Sequence, residues 1–140
     1  MHTTITQNQT THTWCKKMAI KTLTPEEKEY FKKIIPVLIE KIEEVEKEFP
    51  FEKTIAMQLT VNGLRIRVKP KKFLPKEEWK KYARKYGWST WGFKFDDESI
   101  KAPNGFLSAM FSSLLQEIGT DIYDVKKEHL EKILEALNQA

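Results

Sequence analysis

Residues 55–69, IAMQLTVNGLRIRVK, decide the fold. Apolar and polar side chains alternate on both sides of Asn62-Gly63, the period of two strands that each bury one face. Asn-Gly is favoured in a two-residue type I′ turn, where both turn positions need positive φ. A hairpin closed on that pair sets Val61 opposite Leu64, Leu59 opposite Ile66 and Met57 opposite Val68 on the buried side. Thr60 then faces Arg65, Gln58 faces Arg67 and Ala56 faces Lys69 on the other. The outer face of the hairpin is therefore expected to be basic.

Pro70 ends the hairpin, and Pro75 opens a helix with Glu77 and Glu78 at its positive end. Trp79, Tyr82, Ala83 and Tyr86 form the apolar stripe of that helix, and Gly87 stops it. Thr90 to Phe95 reads as a third strand. Trp91, Phe93 and Phe95 point one way, Gly92 and Lys94 the other.

On the amino-terminal side, Thr24-Pro25-Glu26-Glu27 starts a helix with a capping box. Phe31, Ile34, Ile35, Leu38, Ile42, Val45 and Phe49 recur at helical spacing. Pro36 inside this run predicts a kink or a break. Beyond the strands, Phe106 to Ile118 makes a third helix stopped by Gly119. Asp124 can cap a fourth, with Val125, Leu130, Ile133, Leu134 and Leu137 facing inward.

The order predicts an α+β domain: a three-stranded antiparallel sheet, made of hairpin 55–69 and strand 90–95, with about four helices mainly on one face. Residues 1–17 read as a flexible polar tail ahead of a single domain, 18–140. Met18 follows the tail and could itself be a start. Apolar residues make up 40% of the 140, enough for a core. The tail lacks the pattern of a signal peptide, and the one cysteine, Cys15, forbids an intrachain disulfide. The apolar stretch 105–118 is too short to span a bilayer. A cytoplasmic protein without a membrane anchor is expected.

The net charge of +4 is unevenly spread. Between Asn62 and Phe95 stand eleven basic residues, including all three arginines, against only Glu77 and Glu78. Arg65, Arg67 and Lys69 share a sheet face that Lys94 can join. Lys80, Lys81, Arg84 and Lys85 share the polar side of the second helix, and Lys71 and Lys72 lie in the link between. Such clustering is the electrostatic footprint of a phosphate backbone, and an exposed Trp88 could stack on a base. The competing explanation is that these cations pair with the acidic face at Glu40, Glu43, Glu44, Glu46 and Glu48, or with the acidic carboxyl end.

The expected function is therefore non-catalytic binding of DNA or RNA. A first alternative is an oligomeric structural or adaptor protein whose basic block binds an acidic protein, for instance a homodimer packed through Gly105, Ser108, Ala109 and Ser112. A second is a metal-dependent nuclease using Asp96, Asp97 and Glu98, with Asp121 and Asp124 contributing. No phosphate loop, dinucleotide fingerprint or nucleophile elbow occurs, and His2, His12 and His129 are scattered. No cofactor, small-molecule ligand or structural metal is expected.

Overall fold

The computed structural model describes residues 19–139. The expectations for the tail, Met18 and Cys15 lie outside the described residues. A helix of which 19–22 are described (α1) leads into α2 (Pro25–Glu48). Thr24 Oγ1 accepts Glu27 N–H at 3.2 Å, and Glu27 Oε1 accepts Thr24 N–H at 2.8 Å, which completes the capping box. Of the kink or break expected at Pro36, the break does not occur, since α2 continues through it. Pro36 is exposed, so water can serve the Lys32 carbonyl that lacks its helical donor. Phe31, Ile35, Leu38, Ile42 and Val45, all buried, hold both halves of the helix on the core.

β1 (Lys53–Thr60) and β2 (Gly63–Pro70) form the expected hairpin, with a different register. Thr60 pairs with Gly63, Leu59 with Leu64, Met57 with Ile66 and Ile55 with Val68. The turn residues are Val61 and Asn62, and Val61 is 46% exposed rather than buried opposite Leu64. Two features override the Asn-Gly preference. The Thr60 hydroxyl donates to Gly63 O at 2.8 Å and accepts Asn62 N–H at 3.1 Å, which closes the turn one residue early. Gly63 (φ +143°) is also pressed against residues 97–98, where a Cβ would lie 2.9 Å from Glu98 Cα. The shift moves each partner by two positions, so the faces survive.

After α3 (Lys76–Tyr86) the expected third strand is instead a second, shorter hairpin, β3 (Trp88–Ser89) and β4 (Gly92–Lys94). It repeats the chemistry of the first. Ser89 Oγ accepts Trp91 N–H at 3.2 Å and donates to Gly92 O at 3.4 Å, with Gly92 at φ +132°. Trp91 is therefore a turn residue, 52% exposed, and does not share the buried face of Phe93. The four strands are antiparallel in the order β1-β2-β4-β3.

α4 (Gly105–Glu117) begins at an Asn104 cap and α5 (Lys127–Gln139) is the last described element, so the described residues hold five helices and one four-stranded sheet. α2 packs on α5, α4 on β1 and α5, and α3 on β4. The core lies on one side of the sheet, where Ile55, Met57, Leu59, Leu64, Ile66, Val68 and Phe93 meet the helices. Ser108 on α4 turns inward and donates to Leu59 O at 2.6 Å, so part of its small-residue stripe serves packing within the chain.

α5 starts later than the sequence suggests, and Asp124 is not its cap. Val125 N–H is drawn instead to Ile55 O at 2.8 Å, while Ile122 O accepts Met57 N–H at 2.8 Å. Segment 122–125 thus lies along the outer edge of β1, where backbone groups would otherwise face solvent unpaired. His129 Nδ1 accepts Lys126 N–H at 3.0 Å, which serves the start of α5 in place of the aspartate.

Candidate functional site

The strand period that buries one face of the sheet presents Thr54, Ala56, Gln58, Arg65, Arg67 and Lys69 on the other. Arg67 pairs with Lys94 across β2 and β4, which brings Lys94 to the same face. Two clefts lie there. One, of about 280 Å³, has Gln58, Arg65 and Lys94 in its wall. The other, of about 690 Å³, has Thr54, Lys69 and Lys71. Ala56, Arg67, Thr90, Trp91 and Tyr123 line both.

Trp91 and Tyr123 meet edge to face with ring centroids 5.0 Å apart. Trp91 comes from the β3–β4 turn and Tyr123 from the segment along the β1 edge. Tyr123 is placed by three backbone bonds. Its own N–H donates to Asp121 Oδ1 at 2.8 Å, and its neighbours Ile122 and Val125 are bonded to β1. The two rings are 52% and 50% exposed. The half-exposed aromatic pair lies beside the cations that line the two clefts.

The predicted basic residues divide into two groups. Arg65, Arg67, Lys69, Lys71 and Lys94 line the clefts. Lys72, Lys80, Lys81, Arg84 and Lys85 line neither, because α3 packs through Tyr82 and Trp79 onto Phe93, on the core side. Trp88 belongs with that second group. It lies opposite Phe93 in the ladder and packs on Trp79 with centroids 5.2 Å apart. It is 39% exposed, but it does not reach the cationic sheet face as a stacking residue there would. Trp91 and Tyr123 occupy that position. The Ser89-x-x-Gly92 spacing, matching Thr60-x-x-Gly63, is the signal that could have placed Trp91 in a turn. Nothing local marks Tyr123.

Internal pairing explains little of the positive charge. Among the described residues, only two of the eleven block cations form ion pairs: Arg67 with Asp96, and Lys85 with Glu48 at 3.5 Å. The acidic face of α2 is otherwise matched by cations from outside the block. Lys53 pairs with Glu46 at 3.0 Å and Lys127 with Glu43 at 2.9 Å. Arg67 is held in place as well as neutralised. Its Nη1 also donates to Ile66 O at 2.8 Å, and Asp96 Oδ1 accepts Ile66 N–H at 3.1 Å.

The acidic turn is engaged in the fold. Asp97 accepts the Ser99 hydroxyl at 2.5 Å and pairs with Lys41 at 2.9 Å. The Ser99 hydrogen bonds, with Lys41 next, hold its carboxyl down to about 2. Among the described residues, no three His, Cys, Asp or Glu side chains gather closely enough to hold a metal ion. Among the same residues, no helix is long and apolar enough to cross a membrane. Compared with family models, curated proteins and solved structures, the chain matches none.

Proposed function

We propose that the protein binds nucleic acid, without catalysis, through the solvent face of its sheet. The observation that carries this reading is the gathering of Arg65, Lys69, Lys71 and Lys94 around an exposed aromatic pair, with no carboxylate paired to any of them among the described residues. Surface cations left unpaired keep their full attraction for phosphate, and each phosphate they neutralise releases counterions. Arg67 contributes less charge, since Asp96 opposes it, and serves as a fixed floor between the clefts. The cations of α3 lie on the core side of the sheet and make a separate, weaker long-range contribution.

The test is fluorescence anisotropy with labelled oligonucleotides across a salt series. Binding is expected to weaken steeply with salt, by roughly 0.7–0.9 of a log unit per log unit of salt for each phosphate contacted. Arg65→Glu with Lys94→Glu should abolish it, while Lys80→Glu with Arg84→Glu should weaken it only modestly. Equal losses from the two pairs would move the interface off the sheet. No binding at low salt would end the proposal.

A further inference from the structure

The aromatic pair divides the cationic face rather than bordering it, and that division bears on the kind of strand the face accepts. We infer that the face takes a single strand, with one unpaired base against the Trp91–Tyr123 pair and phosphates in the clefts on either side. The inference rests on the proposed nucleic-acid reading.

Each cleft has cations of its own: Arg65 and Lys94 on one side of the rings, Lys69 and Lys71 on the other. Arg65 and Lys69 are four residues apart on one face of β2, about 13 Å along the strand. The rings stand between them. A phosphate backbone that serves both clefts must therefore pass the aromatic pair.

A duplex is poorly matched to that path. It is a wide, stiff cylinder with its bases stacked inside, so it offers no free base to the half-exposed rings between the clefts. A single strand can follow the surface and turn one base toward the aromatic faces. The floor suits this too. Ala56, a side chain of one carbon, is partner to Arg67 in the ladder, and both line both clefts. The guanidinium of Arg67 is anchored to Asp96 and to Ile66 O, which fixes a planar cation in the lining of both clefts.

The rings are also held ready. Trp91 is in a tight turn closed by Ser89, and Tyr123 lies between Ile122 and Val125, which are bonded to β1. Little ordering remains to be done on binding, so stacking should appear as affinity.

The experiment measures the affinity of the full chain at one salt concentration for a labelled DNA strand of about a dozen nucleotides. The same measurement is made for its duplex and for an RNA strand of the same sequence. At least one of the single strands is expected to bind about tenfold or more tightly than the duplex. Trp91→Ala and Tyr123→Ala should each remove most of that preference and leave the salt slope in place. Trp91→Phe, which keeps a ring in the turn, should retain most of it, and circular dichroism checks that each variant is folded. Which sugar is preferred separates DNA from RNA, and either result supports the inference. Equal affinity for duplex and single strand, with Trp91→Ala unchanged, would overturn it. In that case loss of binding in Arg65→Glu with Lys94→Glu would leave the nucleic-acid reading standing. Absence of binding to every probe would overturn both.

Discussion

Asp97 joins three parts of the chain. Its backbone exchanges two hydrogen bonds with Leu64, each of 2.9 Å, and its carboxylate holds Ser99 and Lys41. These contacts lower its carboxyl from the ordinary 3.8 to about 2. A depressed folded-state value means stability that is present above the ordinary value and lost as pH falls through the folded one. Asp97→Asn should therefore lower stability near neutral pH, and the difference from the parent should shrink between pH 4 and pH 2. Urea midpoints across that range check it, and a constant difference would separate the carboxylate from the effect. Gly92 makes a sterner demand. At φ +132° a Cβ there would sit 2.5 Å from Val68 O. Gly92→Ala should cost at least about 2 kcal/mol, since strained φ and backbone overlap add. Chemical denaturation of the purified variant measures it.

At the scale of elements, the sequence is most legible where one local rule acts alone. Thr24 and Glu27 cap α2 as their spacing implies, and the alternation in 55–69 assigns the strand side chains other than Val61 to their correct faces. Legibility fails where a distant segment competes. The Asn62-Gly63 signal is strong, yet the approach of residues 97–98 and the Thr60 hydroxyl move the turn to Val61-Asn62. Alternation in 91–95 suggests one strand, but Ser89 closes a turn through Trp91, which is why Trp91 is exposed. Pro36 shows the reverse balance, in which tertiary packing holds a helix together across a residue that opposes it. Pro36→Ala should restore the missing donor and raise stability, by up to about 3 kcal/mol. A thermal melt of the variant should show the increase, and no change would mean that water already compensates the Lys32 carbonyl fully.

Across the whole molecule, the proposed binding face sets like charges together at a cost in stability. Arg67 and Lys94 are like charges directly opposed in the ladder, and only Asp96 offsets them. Lys94→Gln should therefore raise the melting temperature at low salt. The gain should fade as ionic strength rises from about 10 mM, where charges act over ~30 Å, toward about 1 M, where they act over ~3 Å. A salt series of melting curves decides it. The cationic half of this face was legible in the sequence, because strand period gathers Arg65, Arg67 and Lys69, and the pairing of β2 with β4 adds Lys94. The aromatic half was not, since Tyr123 is brought there by a loop fastened to β1 from the far end of the chain. That fastening has a further consequence. Ile55 O, Met57 N–H and Leu59 O on the outer edge of β1 are already bonded within the chain. A second molecule has little to template on there, so ordered polymer growth from this edge would have to begin by peeling segment 122–125 away. The same step would carry Tyr123 off the face, so the first event of aggregation at this edge would also dismantle the aromatic pair of the proposed site.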